Sequence, residues 1–169
     1  MTNTDPKLII LRGPSGAGKS TIAKALQTQS ARKVAVIEQD HYKEEIFAND
    51  KKGSGDVRRI MLVIDCLIAL ESGYDVILEG IMSMANYGAC FDQLFSRHPE
   101  ENYMFYMDVS FEESVKRHTQ RDKNTLFGEQ EMKEWYELSQ KSGYDIEISI
   151  PERYDAASSA DLIRQKTKL

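Results

Sequence analysis

The chain has 169 residues, 41% hydrophobic and 29% charged with four prolines, a composition that fits one globular domain spanning 1–169. Its 22 basic and 27 acidic side chains leave a formal net charge of -5, which argues against a broad nucleic-acid footprint while leaving room for a small anionic ligand held by a few cations. No stretch approaches the roughly 20 apolar residues of a membrane span, and Met1 to Lys7 carries no signal-peptide pattern, so the expectation is a cytoplasmic protein.

Short β-rich runs alternate with longer helical patterns, the signature of a parallel sheet flanked by helices. Lys7 to Leu11 is a nearly unbroken apolar run, as expected of a central strand buried on both faces. A glycine-bearing loop from Gly13 to Gly18 follows, and Lys19 to about Thr28 predicts a helix. Val34 to Ile37 is a second strand, closed by Glu38-Gln39-Asp40. The polar segment Tyr42 to Gly55 predicts a short helix and a loop. Asp56 to Leu70 sets Val57, Ile60, Met61, Ile64, Leu67 and Ile68 at helical spacing, and Ser72-Gly73 stops the helix. Within it Cys66 reads as a buried free thiol; with Cys90 it makes two cysteines, too few for a disulfide framework.

Tyr74 to Leu78 is a third strand ending at Glu79-Gly80, and a helix is expected around Ala89 to Phe95. Tyr103 to Met107 is the fourth strand. Ser110 and Glu113 have the spacing of a capping box, which predicts a helix running to about Arg121. Gly128 to Ser142 is helical by pattern, with Met132, Trp135, Tyr136 and Leu138 on or near one face. Ile146 to Ile150 is the fifth strand, and Ala157 to Arg164 a final helix.

The motif that carries chemistry is Gly13-Pro14-Ser15-Gly16-Ala17-Gly18-Lys19-Ser20, followed by Thr21. It meets the pattern Gly-x-x-x-x-Gly-Lys-Ser without a mismatch, between a strand and a helix as that pattern requires. Its glycines let successive N–H groups converge on phosphate oxygens, and the helix N-terminus adds its dipole to the same point. Lys19 is expected on the β- and γ-phosphates of a nucleoside triphosphate and Ser20 on Mg²⁺.

Ligands of parallel α/β sheets gather at the carboxyl ends of the strands, where this chain places Asp40 and Glu79. Asp40 is expected as a general base or orienter of an acceptor hydroxyl that also touches Mg²⁺; its other reading is a helix N-cap. Glu79 is expected in the magnesium shell, or else as a surface carboxylate, and Glu38 stands near enough to exchange roles with Asp40. Arg117 and Arg121, four apart on one helix face, are candidates for a short lid over 117–128, the other reading being a solvated basic face. Arg153 has two readings, a contact to adenine or a loop residue. Arg58 and Arg59 either face an anionic acceptor or are surface charges, and Met82, Met84, Tyr87 and Phe91 line an acceptor pocket or pack the core.

With these residues in place the chain resembles the small P-loop kinases, the broad group of adenylate-kinase-like, gluconate-kinase-like, chloramphenicol-phosphotransferase-like and zeta-toxin-like enzymes. The resemblance implies a three-layer α/β/α P-loop NTPase fold with a mainly parallel five-stranded sheet. It also implies transfer of the γ-phosphoryl group of ATP, with Mg²⁺, to a hydroxyl of a small molecule, by a monomer or homodimer. In such kinases the aspartate after the second strand approaches the acceptor hydroxyl, which matches Asp40, and lid arginines match Arg117 and Arg121. The acceptor-binding segment is expected at about 41–59. The chain departs from the group in lacking a long lid insertion and a double-arginine nucleoside-monophosphate signature, so a sugar, antibiotic or other metabolite is favoured as acceptor. The alternative is a P-loop ATPase or regulatory switch with no small-molecule acceptor.

Overall fold

The computed structural model describes residues 5–120 and 128–169. Its strands β1 (Leu8–Arg12), β2 (Val34–Glu38), β3 (Asp75–Gly80), β4 (Asn102–Asp108) and β5 (Glu147–Pro151) form one sheet in the order β2-β3-β1-β4-β5. Every adjacent pair is parallel. The helices are α1 (Lys19–Gln29), α2 (Gln39–His41), which runs on into a wider π-helical turn at Tyr42–Ile46, α3 (Gly55–Glu71), α4 (Met84–Arg97), α5 (Phe111–Thr119), α6 (Glu129–Leu138) and α7 (Ala156–Thr167).

β1 takes the centre because all five of its residues are buried, and its alternation serves two cores. Leu8 and Ile10 join Val76, Leu78 and Met104 beneath Leu62, Val63, Cys66 and Leu70 of α3 and Tyr87, Cys90, Phe91 and Leu94 of α4. Ile9 and Leu11 face the other way, with Ile77, Phe105 and Met107, against Ile22, Ala23 and Leu26 of α1 and Ala160 and Ile163 of α7. Each such fully buried aliphatic side chain stabilises the fold by about 1.5–3 kcal/mol relative to exposure. The result is the expected three-layer α/β/α arrangement of a P-loop NTPase. Strand order reverses at β1, so the crevice at its carboxyl end is where such sheets bind ligands.

The elements differ from the sequence reading in four places. α4 starts at Met84, ahead of Ala89. Gly88 lies inside the helix, where its cost of about 1 kcal/mol is offset by burial of Tyr87 and Phe91 on either side. α6 ends at Leu138, short of Ser142. The carbonyls of the next two residues are held by buried side chains instead: Tyr106 donates its hydroxyl proton to the Ser139 carbonyl, and Arg12 Nη2 reaches the carbonyl of the exposed Gln140 at 3.0 Å. At α5 the Ser110 hydroxyl accepts from Glu113 N–H at 3.3 Å. The Glu113 carboxylate does not return the bond; it takes Lys116 and Arg117. The expected end of that helix at Arg121 lies outside the described residues.

The fourth difference is in α3. The helix forms as expected, but of the residues whose spacing announced it, Val57, Ile60, Ile64 and Ile68 face outwards at 41, 58, 47 and 57% exposure. Met61 and Leu67 pack at the margin of the core made by Leu62, Val63, Cys66 and Leu70. Met82, Tyr87 and Phe91 are also core residues rather than the wall of an open pocket, with Met84 packed against them. Cys66 and Cys90 are buried free thiols, and burial pushes both above the ordinary thiol range. Among the described residues no helix is long and apolar enough to cross a membrane.

Candidate active site

The loop after β1 is shaped by close approach. A Cβ on Gly13 would stand 2.7 Å from Met107 Cβ, and one on Gly16 would stand 2.5 Å from the Ser114 carbonyl oxygen. Gly13, Gly16 and Gly18 have φ of 146°, 81° and 94°, conformations that a side chain disfavours. Gly18 has no side chain with which to cap α1, so the first N–H groups of the helix point into the loop. Lys19 is only 8% exposed and folds back into the cradle, donating to the carbonyls of Gly13 at 3.0 Å and Pro14 at 2.8 Å. Its ammonium is thus centred where converging N–H groups and a helix dipole already favour an anion.

Opposite the cradle, register brings two carboxylates side by side. Glu38 of β2 pairs with Glu79 of β3, and Leu11 of β1 pairs with Glu79 on its other side. Glu79 shares its strand face with Ile77, which packs on the α1 side, and it accepts from Ser20 Oγ at 2.7 Å. It is 5% exposed, so the reading of a surface carboxylate fails. Burial raises its pKa above the ordinary carboxylate range; Lys19 and the Ser20 bond pull it back, and the charges of Glu38 and Asp40 push it up again. The loop lysine, the loop serine and three carboxylates therefore share one electrostatic neighbourhood.

Asp40 is exposed in the middle of α2, where Glu38 holds the position ahead of the helix, so Asp40 is not its N-cap. Its neighbour Gln39 locks α2 against the end of β3, accepting from Met82 N–H at 3.0 Å and bonding to Tyr87. A Cβ on Gly80 would lie 2.4 Å from Gln39 Oε1, so glycine is required for that approach. Of the residues that follow, Tyr42 is buried with its hydroxyl 2.5 Å from Asp65, and His41 stays exposed beside Glu45 at 3.2 Å.

Arg117 reaches the cradle from α5. Its Nε donates to Glu113 at 2.8 Å, its Nη2 to the Glu152 carbonyl at 2.8 Å, and its Nη1 lies 3.5 Å from the Ala17 carbonyl. The last contact is at the limit of a hydrogen bond, so one guanidinium nitrogen beside the loop is weakly held. Arg121, its expected companion, lies outside the described residues, as does most of the expected lid. Arg153 is exposed in the turn between β5 and α7, its guanidinium 5.4 Å from the Tyr154 ring centroid. At the head of α3, Arg59 pairs with Asp56, while Arg58 donates to the Lys51 carbonyl at 3.2 Å and keeps its Nε buried without a partner among the described residues.

Arg12 was not singled out in the sequence, yet it organises the floor beneath the loop. It is fully buried on the face opposite Glu79, donating to the Met82 carbonyl at 3.0 and 2.9 Å and to Glu147 at 2.7 Å. Phe91 and Tyr106 lie over it with ring centroids at 5.7 and 6.0 Å. It ties the β3–α4 connection, the α6–β5 connection and β5 to the residue just before Gly13. The signal available in sequence was a charge closing an otherwise apolar strand.

No curated protein sequence matches the chain at a significant level. Solved structures do match in fold. The APS kinase of Mycobacterium tuberculosis, in complex with AMPPNP and APS, has a TM-score of 0.77 at 13% identity over 98% of this chain and 99% of its own. A gluconokinase from Sinorhizobium meliloti 1021 has a TM-score of 0.71 at 16% identity over 98% and 96%. Shikimate kinase from Acinetobacter baumannii, in complex with shikimate, has a TM-score of 0.66 at 20% identity over 96% and 93%. At these identities the likeness shows the fold. The family model described as an AAA domain matches residues 8–137, from the start of β1 to the penultimate residue of α6, and the chain belongs to that family, AAA_33.

Proposed function

We propose that the chain is an ATP-dependent small-molecule kinase that moves the γ-phosphoryl group to a hydroxyl of a sugar, antibiotic or other metabolite. The observation that carries this reading is the buried Glu79 carboxylate, 2.7 Å from Ser20 Oγ and in the electrostatic company of Lys19, Glu38 and Asp40. A desolvated carboxylate is unfavourable without a partner, and a set of hard oxygen donors beside a phosphate cradle fits Mg²⁺. Among the described residues no group of three or more His, Cys, Asp or Glu side chains is placed to hold a metal by itself; the ion of a kinase is held through one or two carboxylates and substrate phosphates. Ser20, Glu79 and, through its neighbourhood, Asp40 are the residues that would hold the ion, which when bound supplies charge neutralisation at the phosphates.

The chain's own residues divide the remaining work. The N–H groups of Gly13 and of Ser15 to Ser20, next to Thr21, bind the phosphates, Pro14 having none to give, and Lys19 exchanges its two carbonyl partners for phosphoryl oxygens. Asp40, exposed at the crevice, accepts the proton of the acceptor hydroxyl as that oxygen bonds to phosphorus and the β-phosphate oxygen leaves with ADP. Arg117 offers its weakly held Nη1 to the charge that spreads over the transferring oxygens. Arg153, which follows the Glu152 whose carbonyl Arg117 holds, is assigned to the adenine. The kinase likeness of the matched folds supports the same reaction class.

The test is ATP consumption against a panel of hydroxyl-bearing sugars, antibiotics and other metabolites, with Asp40→Asn measured in parallel. One acceptor is expected to raise consumption well above the rate in water alone, and Asp40→Asn to lower kcat by about 100- to 10,000-fold with little change in the KM for ATP. If no hydroxyl acceptor accelerates consumption, the kinase reading fails. If an accepted substrate is turned over by Asp40→Asn at the parent rate, the role given to Asp40 fails.

A further inference from the structure

α3 is apolar on two opposite sides. Its inner side, Leu62, Val63, Cys66 and Leu70, fills the core beneath the sheet. Its outer side carries Val57, Ile60, Ile64 and Ile68 at exposures of 41, 58, 47 and 57%. At 100° per residue these four fall within one narrow band about 16 Å long. Together they expose on the order of 400 Å² of apolar side chain, within the range of the largest patches on monomers, which are often functional. A helix that is apolar all round is a buried helix, and nothing within the described chain covers this side.

We propose that the outer face of α3 is the interface of a homodimer in which α3 packs antiparallel on the α3 of a second copy across a two-fold axis. Two properties of the stripe point to a second copy rather than to a different protein. The spacing 57, 60, 64, 68 is close to palindromic, so reversal brings Ile60 opposite Ile64 and Val57 opposite Ile68, which makes the face self-complementary as a two-fold interface requires. The charges also reverse along it. Glu71, one further turn along the same band, is exposed at the carboxyl end, and Lys52 is exposed just before the amino end, next to Lys51, which is paired with Glu44. Antiparallel pairing sets each Glu71 beside the partner's Lys52 and beside the positive end of the partner's helix dipole.

The stripe supplies about half of the roughly 800 Å² per partner of a standard interface, so the dimer is expected to form at tens of micromolar and to dissociate on dilution. Sedimentation velocity over about 1 to 200 µM tests this. The expected result is a shift from a 19.3 kDa species towards twice that mass, abolished by Ile64→Glu at unchanged far-ultraviolet circular dichroism. Ile64 is 47% exposed, so the variant is expected to fold. Orientation is tested by mixing Ile60→Cys and Ile64→Cys proteins under mild oxidation, where the hetero-pair is expected to cross-link in excess of either homo-pair. A monomer at every concentration overturns the proposal and leaves the stripe to a different partner or to none. A dimer that survives Ile64→Glu, or cross-links favouring homo-pairs, overturns it as well.

Discussion

Glu79→Gln is expected to make the ligand-free protein more stable and the enzyme inactive. Glu79 is 5% exposed, and burial outweighs the attraction of Lys19 and the bond from Ser20, so its folded-state pKa lies above the ordinary value near 4.5. A raised carboxylate pKa means that the fold favours the neutral form. The contribution of Glu79 is therefore fully present below the ordinary carboxylate range and is lost as pH rises through the raised folded value. Glutamine is neutral at every pH, nearly the same shape, and its Oε1 still accepts from Ser20 Oγ. The gain is expected at about 1 kcal/mol near pH 8, within the roughly 0.5–2 kcal/mol of common stabilising substitutions. For a chain of this size that raises Tm by about 2–4 °C.

The gap in stability should close on acidification, because the parent carboxyl is then protonated too. Thermal unfolding followed by circular dichroism at pH 8 and pH 4 in the absence of Mg²⁺ measures both limits. Adding ATP with Mg²⁺ should reverse the ranking, since a ligand stabilises only the form that binds it. Turnover of the variant is expected to fall at least about 100-fold. A variant less stable than the parent at pH 8, or a gap equal at both pH values, would refute burial as the governing cause.

Other substitutions separate structure from chemistry. Arg12→Ala strands Glu147, whose side chain is 5% exposed, and is expected to lower unfolding free energy by about 3–5 kcal/mol in urea titrations; the double variant with Glu147→Ala should lose less than the two singles added. Gly16→Ala drives a Cβ to 2.5 Å from the Ser114 carbonyl at a φ of 81° and is expected to weaken ATP binding in calorimetry at least about tenfold, through the displaced loop. Arg117→Ala is expected to lower stability by about 1–2 kcal/mol, since its side chain is 23% exposed and bonds to Glu113 and the Glu152 carbonyl, while lowering kcat by about 100-fold or more; a loss confined to Tm would remove it from the chemistry.

The conformation of the loop after β1 was legible in the sequence because glycine at fixed spacing is the visible mark of its positive φ values and close approaches. The strands were equally legible: an apolar run buried on both faces, such as Leu8 to Leu11, reads the same in any context. Helix limits were less so where tertiary contact decided them. Gly88 is a poor helix former, but burial of Tyr87 and Phe91 carries α4 through it. The pull of Arg12 and Tyr106 on the carbonyls of Gln140 and Ser139 ends α6 early, and neither partner is near in sequence.

Arg12 and α3 show the deeper reason. Periodicity reports which residues share a helix face but not which face meets the sheet, and α3 offers two apolar faces of nearly equal strength. The core takes Leu62, Val63, Cys66 and Leu70 because the turn at Ser72 and Gly73 feeds directly into β3, fixing the rotation of the helix that precedes it. Arg12 is the converse case, a charge that periodicity places inside. A single sequence shows the desolvation penalty at that position but not the Met82 and Gln140 carbonyls and the Glu147 carboxylate that offset it, drawn from three separate segments. The same limit governs the catalytic side. The candidate phosphate-binding residues lie within eight consecutive positions, whereas Glu79 and Arg117 are brought beside them from β3 and α5, which only packing reveals.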